Sequence, residues 1–403
     1  MPWKSSTPVD LRIELMNRIL KGECLSELCR EYGISRKTGD KFKQRFLRLG
    51  LAGLEDQPRA PKVIPHRTPP ELVEIIVAER KRRPTWGPKK LKKVLEERLE
   101  RTLPAASTIG DILRRNGLSE HGKQRPRHKA QPTGLREVTA PNDVWCIDYK
   151  GQFRLGDRSL CYPLTITDQF SRYILGCEGM GAISDEGAKE ICEELFRSHG
   201  LPLVMRSDNG IPFASTGLAG LTKLSAYWMR LGVIRERIRP AHPEENGRHE
   251  RMHRTLKFET ARPARTNLLQ QQERFDAFVD EFNHERPHEA LAMKRPGDVY
   301  ERSARPYPTT MPEPTYPEHD DAVRVNRDGF IYFQRRHWYL TAALAGQHVG
   351  IREERCGRWL ITFMDLDLGH FGTDRRLVPI QALIPSMVAT TGQRAACQHV
   401  NAT

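Results

Sequence analysis

The sequence predicts a multidomain chain: α-helical helix-turn-helix domains, then an α/β domain with a mixed five-stranded sheet, then a small β-barrel. Three observations predict it. Helical periodicity with Gly stops runs through the first third. Strand-like runs alternate with amphipathic helices from about residue 143. Short aromatic and β-branched runs fill the region after residue 320. The charge follows the same division. The 403 residues carry a formal net charge of +14. Residues 1–135 hold 30 Lys+Arg against 16 Asp+Glu, whereas the remainder holds 35 of each. A basic excess gathered in one segment suits a polyanion, most often nucleic acid; a solubilising surface would spread it.

The other bulk features exclude classes of function. No apolar run reaches the roughly 18 residues of a membrane span. MPWKSSTPVD is not followed by an apolar signal core, so secretion is not expected. The eight Cys show no C-x-x-C and read as reduced thiols of a cytoplasmic protein.

Residues 1–60 read as a first helix-turn-helix domain. LRIELMNRIL and LSELCREYG are amphipathic, and Ser35 caps the basic helix SRKTGDKFKQRFLRLG. That helix is expected in a DNA major groove, with Arg36, Lys37, Lys41 and Lys43 as DNA-binding candidates. Gly39 inside it is out of keeping with a strong helix. Prolines 58, 61, 65, 69 and 70 mark an extended linker. Residues 66–118 repeat the helix-turn-helix theme, with Ser107 and Thr108 expected to cap its last helix. Residues 119–140 form a basic linker suited to lying along phosphates.

Residues 141–300 form the α/β domain. DVWCIDYKG, LCYPLTITDQ and SRYILGCEGM are three strand-like runs, followed by a helix, the strand LPLVMRSD, another helix, the strand VIRERI and a long helix from about 245. Residues 301–320 are a Pro-rich linker. Residues 321–382 are expected to close into the small β-barrel, with Asp328-Gly329 as a hairpin turn, and 383–403 to form a flexible tail.

Three carboxylates in the α/β domain sit where chemistry could use them. Asp148 lies inside the first strand, Asp208 ends the fourth, and Glu250 opens the long helix. The spacings are 60 and 42 residues. An Asp inside an apolar strand is costly unless something compensates it, and a divalent cation does so. Magnesium prefers carboxylate oxygens and keeps coordination positions for phosphate; two such ions can clamp a phosphoryl transfer. Each acid alone has a plainer reading, a turn-forming Asp or a solvated helix Glu; the combination carries the signal.

The blocks around them are informative together. W-x-x-D at Trp145–Asp148, S-D-N-G at Ser207–Gly210 and P-x-x-N-G-x-x-E at Pro243–Glu250 resemble the catalytic blocks of DDE transposases of the retroviral-integrase type. LTITDQFSRYIL and NHERPHEAL resemble the insertion-sequence members of that family. The resemblance is strong over about 140–300 and unspecific elsewhere. It implies a ribonuclease-H-like core with Asp148, Asp208 and Glu250 as catalytic residues and ligands of two Mg²⁺ ions, which Mn²⁺ could replace. It further implies a bacterial, nucleoid-associated enzyme that cuts transposon ends to a 3′-hydroxyl. That hydroxyl is then transferred into target DNA without a covalent enzyme intermediate. The Asp208–Glu250 interval is somewhat longer than in retroviral integrases, and the retroviral His/Cys zinc module is absent. Synapsis of two DNA ends implies a homo-oligomer, a dimer or larger.

If Glu250 is catalytic, Arg254 and Lys257 share its helical face and become candidate phosphate contacts, with Asn209 shaping the site from the second block. HERMH at 249–253 also matches the zinc-protease pattern H-E-x-x-H. The metzincin extension fails, because Leu256 and Glu259 stand where Gly and His belong. His249 and His253 are therefore expected to be DNA-proximal or structural, and Asp168 structural with Ser171 or Arg172 as partner. The competing readings are a catalytically silent, domesticated transposase acting as a sequence-specific DNA-binding protein, and a nuclease acting on RNA–DNA hybrids.

Overall fold

A computed structural model describes residues 7–57, 67–119, 134–239, 242–354, 357–371 and 377–380. Most of the basic stretch at 119–140 and all of the expected tail at 383–403 lie outside the described residues. The chain divides into two compact units, Met1–Pro69 and Pro70–Thr403.

In the first unit, α1 (Pro8–Leu20), α2 (Leu25–Glu31) and α3 (Arg36–Leu49) enclose Leu15, Met16, Leu28, Phe42 and Leu54. Thr7 and Asp10 form a capping box on α1, and the Ser35 hydroxyl accepts the Thr38 amide at 3.2 Å. Gly39, anomalous by propensity, has a packing reason: a Cβ there would lie 2.5 Å from Cys29 Sγ and 3.1 Å from Leu25 Cδ1. The missing side chain lets α2 and α3 approach.

The second unit opens with α4 (Pro70–Arg82), α5 (Pro88–Leu99) and α6 (Ala106–Arg115), packed around Ile76, Trp86, Leu91, Leu95 and Ile109. Pro88 starts α5 directly after Gly87. The expected cap of α6 is not made. The helix already begins at Ala106 with Ala105 as N-cap, so Ser107 and Thr108 fall inside its first turn.

The central sheet is built from β1 (Val144–Tyr149), β2 (Phe153–Arg154), β3 (Leu160–Asp168), β4 (Ile174–Met180), β5 (Val204–Ser207) and β6 (Ile234–Arg237). β1 pairs antiparallel with β3 and parallel with β5; β3 pairs antiparallel with β4, and β5 parallel with β6. The five main strands thus run in the order β4-β3-β1-β5-β6, with short β2 pairing the start of β3. The expected mixed sheet is present. Its two faces carry separate cores. Trp145, Ile147, Leu164 and Ile166 pack with α7 (Asp185–His199) and α8 (Lys223–Arg230) through Phe196, Cys192 and Trp228. Cys161, Ile174 and Cys177 pack with α9 (Gly247–Thr260) and α10 (Leu268–Asp280) through Met252, Leu256, Phe275 and Phe278.

The Pro-rich segment 301–320 lies along this core. Arg305 donates to the carbonyls of Pro202, Leu231 and Gly232, and Arg230 donates to Pro312 O. The C-terminal region departs from the expected barrel. β7 (Asp321–Arg324), β10 (His348–Glu353), β11 (Trp359–Phe363), β12 (Leu366–Phe371) and β13 (Leu377–Pro379) form an open antiparallel sheet in the order β13-β12-β11-β10-β7, and no pairing among the described residues closes it. β8 (Phe330–Phe333) and β9 (Arg336–Tyr339) form a separate hairpin that turns at Gln334-Arg335, both at positive φ. Asp328-Gly329 does not join paired strands, because β7 is taken by β10. Among the described residues, no helix is long and apolar enough to cross a membrane.

Candidate active site

The site follows from the two-residue period of β1. Trp145 and Ile147 enter one core, so Val144, Cys146 and Asp148 face the other way. Across the antiparallel ladder Asp148 is paired with Thr165, and Cys146 with Thr167. Two hydroxyls on β3 therefore stand beside Asp148. α9 covers them with the buried series His249, Met252, His253, Leu256 and Thr260, one face of a helix.

The contacts are close. Thr165 Oγ1 lies 2.7 Å from His249 Nε2 and 2.6 Å from His253 Nε2, and Thr167 Oγ1 lies 2.8 Å from His249 Nδ1. His253 Nδ1 stands 3.6 Å from Asp148 Oδ2. One ligand atom each of Asp148, His249 and His253 lies within 4.8 Å of the others, a group that could hold a metal ion. Spacing along the sequence gave no sign of Thr165 and Thr167; only the strand register brings them here. Burial pushes His249 down to about 3, helped by the charge of Lys150, and burial with His249 beside it holds His253 well below the usual imidazole range. Both rings are neutral at pH 7 and bring no positive charge.

Asp148 is in the opposite position. Its pKa is pushed up to about 7, first by burial, then by the charge of Asp208, with Glu250 adding to it; Lys150 works against the rise. The three acids are thus near enough for the charges of the other two to bear on Asp148. Asp208 follows the end of β5, where its Oδ1 accepts the Gly210 amide at 2.9 Å. Glu250 is exposed in the first turn of α9. Asp148, Lys150, Glu250, His253, Arg254 and Lys257 all line one cavity of about 630 Å³, and Asp208 is not among its lining residues. The i, i+4, i+7 series Glu250, Arg254 and Lys257 therefore faces one space. Asn209 is exposed and clasps Ile238 O at 2.7 Å.

Asp168 lies outside this group. It is fully buried; Oδ1 accepts the Asn142 amide at 2.8 Å, and Oδ2 accepts the Ser171 amide and hydroxyl at 2.7 and 2.6 Å. It ties a turn together, with Ser171 rather than the Arg172 side chain as partner. In the first unit, Arg36, Lys37 and Lys41 are exposed on α3, and Lys43 is half-buried.

Parts of the chain match known families. Residues 138–243 and 231–296 each match the Integrase core domain family, residues 11–62 match a Helix-turn-helix domain and residues 38–113 a Homeodomain-like domain. The chain therefore carries an integrase core domain behind N-terminal helix-turn-helix and homeodomain-like regions. Among curated proteins it is similar to the Gag-Pol polyprotein of baboon endogenous virus (strain M7), with 32% identity over 127 residues, 31% of this chain and 7% of the polyprotein. It is likewise similar to the Pol polyprotein of feline endogenous virus ECE1, with 34% identity over 128 residues, 31% of this chain and 12% of that one. The matches thus span about a tenth of those relatives' lengths. Solved structures with some likeness include the HTLV-2 integrase catalytic core domain in complex with magnesium, at 14% identity, covering 41% of this chain and 100% of that one, TM-score 0.33. Another is a simian T-cell lymphotropic virus intasome, at 16% identity, covering 66% of this chain and 90% of that one, TM-score 0.36.

Proposed function

We propose that this chain is a DDE-type DNA transposase. It would cut transposon ends to a 3′-hydroxyl and transfer that hydroxyl into target DNA. The observation that carries the reading is electrostatic. Asp208 and Glu250 both raise the pKa of Asp148, and the two imidazoles packed beside it are neutral. Asp148 and Glu250 face one cavity and the charge of Asp208 reaches Asp148; such a group of carboxylates suits a divalent cation with oxygen preference, and its donor chemistry fits magnesium better than zinc.

Asp148, Asp208 and Glu250 would hold the metal, two Mg²⁺ ions in this reading, with Mn²⁺ able to substitute. Bound there, magnesium supplies Lewis-acid activation of a phosphoryl oxygen and a lowered pKa for an attacking water or hydroxyl. The remaining work belongs to the chain. Arg254 and Lys257, on the Glu250 side of α9, neutralise backbone phosphates and set the strand's position. His253 and Thr165 hold Asp148 in place from behind. Arg36, Lys37, Lys41 and Lys43 would contact DNA from the first helix-turn-helix domain, and Asn209 would shape the site from the Asp208 turn.

We assign the domains as 1–60, 66–118, 141–300 and 321–382, with 119–140 and 301–320 as connections, and expect a homo-oligomer that pairs two DNA ends. The experiment is strand cleavage and transfer on a duplex carrying the inverted repeats that flank the coding sequence, with and without Mg²⁺. Asp148→Asn and Glu250→Gln should each lower the rate at least about 100-fold while leaving DNA binding in place. Activity surviving Glu250→Gln would overturn the assignment. A silent DNA-binding protein would shift the same duplex and cut none of it.

A further inference from the structure

A second cavity, of about 590 Å³, opens along the neighbouring flank of α9. Its lining holds six cations against two carboxylates, Asp168 and Glu289. Lys90 from α5, Arg172 from the β3–β4 turn, Arg248, Arg251 and Arg254 from α9, and Arg286 beyond α10 all line it. The nearby acids are already engaged. Asp168 is saturated by Asn142 and Ser171, Glu289 pairs with Lys89 at 2.7 Å, and Glu259 pairs with Arg286 at 3.1 Å. Among the described residues, no ion pair with a carboxylate is made by Lys90, Arg172, Arg251 or Arg254. Polar groups are also left over: the donors Arg172 Nε and Arg286 Nε, and the ring nitrogen His288 Nε2, are buried without a protein hydrogen-bond partner. Such orphans are costly, and they cluster around one space.

The crowding registers on the groups themselves. Burial and then the charge of Arg286 push Lys90 down to about 7, and burial with Arg248 and Arg251 lowers Arg172. An anion entering the cavity relieves all of these at once. Arg254 and Phe258 line both this cavity and the carboxylate cavity, and Phe258 is half exposed between them.

We propose that this second cavity is an anchor for a backbone phosphate of the DNA strand that runs from the carboxylate cavity over Arg254 and Phe258. Lys90, Arg172 and Arg286 grip the phosphate, and the ring of Phe258 gives a flat surface against the sugar or base between the two cavities. The anchor rests on the polynucleotide reading above, yet it is tested without cleavage. It fixes the strand beyond the reacting phosphate, so the reacting phosphate has one place to lie.

The test uses the full chain and a labelled duplex of about 40 base pairs in EDTA, with Kd followed by fluorescence anisotropy against salt. Each lost phosphate contact lowers the slope of log Kobs against log salt by about 0.9. Lys90→Gln with Arg172→Gln takes two of the three cations from that one phosphate and should therefore cut the slope by up to about 0.9. Lys90→Gln alone should cut it by a fraction of that, which serves if the double variant does not fold. Duplexes carrying single methylphosphonates complete the test: one neutralised position should weaken wild-type binding and leave the double variant indifferent. An unchanged slope, or the same methylphosphonate sensitivity in both proteins, overturns the anchor. So does millimolar inorganic phosphate that protects the wild type from heat as well as the duplex does, since the site would then take a free anion. Loss of cleavage in the Asp148 or Glu250 variants leaves these binding results untouched, so the two proposals can fail separately.

Discussion

His253 Nδ1 stands 3.6 Å from Asp148 Oδ2, while its other ring nitrogen lies 2.6 Å from Thr165 Oγ1. The imidazole thus spans from a strand hydroxyl to the carboxylate on the adjacent strand. His253→Ala removes that brace while leaving every acid in place. The expected result is a Mg²⁺ midpoint for cleavage shifted up by roughly tenfold, with duplex affinity in EDTA unchanged. A metal titration of both proteins decides it, and an unmoved midpoint would reduce His253 to packing.

Asp148 makes stability depend on pH when no metal is present. Its folded pKa of about 7 is raised above the ordinary 3.8, so between those values the folded chain holds a proton that the unfolded chain has released. Stability is therefore lost as pH rises through that window, by up to a few kcal/mol at about 1.4 kcal/mol per unit. In EDTA, the Tm advantage of Asp148→Asn over wild type should grow from pH 4 to pH 7. Added Mg²⁺ should close the gap at pH 7. A pH-independent difference would mean that the carboxylates do not crowd.

Asp168 is predicted to matter for folding and not for chemistry. Asp168→Asn keeps the shape but turns one accepting oxygen into a donor that faces amide or hydroxyl donors. Chemical denaturation should show a loss of about 2–3 kcal/mol, with no shift in the Mg²⁺ midpoint. A shifted midpoint would place Asp168 in the metal site.

Arg254 and Lys257 make separable contributions in the carboxylate cavity. Each Gln substitution should lower the salt slope of duplex binding by about 0.9 and weaken all sequences alike. Sequence-dependent loss from either variant would instead indicate base contact.

Gly39→Ala sets helix propensity against packing. Propensity alone favours Ala by about 1 kcal/mol. The Cβ would meet Cys29 Sγ at 2.5 Å, so α2 and α3 must part. The first unit should be destabilised by about 1–3 kcal/mol, read from its thermal transition. A stabilised variant would show that the contact yields freely.

Local patterns were the most legible part of the molecule. The mixed sheet follows from three adjacent apolar runs and then alternating helix and strand, and α3 from a Ser cap and a basic amphipathic stretch. What the sequence hid is non-local. Thr165 and Thr167 look like ordinary β-branched residues until the register sets them opposite Asp148 and Cys146. Asp328-Gly329 is a sound turn signal, but β7 finds a better partner in β10, and the true hairpin uses Gln334-Arg335, where left-handed backbone was not foreseen. Closure of a barrel likewise depends on which edges meet, and short runs do not encode that. The six cations of the second cavity come from four separate stretches of chain, so no window of sequence contains them.

β1 and β5 are parallel neighbours with Ile147 in register with Ser207, so Asp148 and Asp208 each follow the last rung of that ladder. That last rung, at a strand spacing of about 4.8 Å, fixes where both backbones start. Glu250 comes instead from α9, which His249 and His253 tie to Thr165 and Thr167 on β3. Its position depends on how Met252 and Leu256 seat α9 against Cys161, Ile174 and Cys177. The three acids are therefore set by two devices, a strand ladder for the first two and a seated helix for the third. Changing the size of Met252 or Leu256 would shift Glu250 and, through His253, the brace on Asp148 together, so the helix moves as one jaw of a caliper.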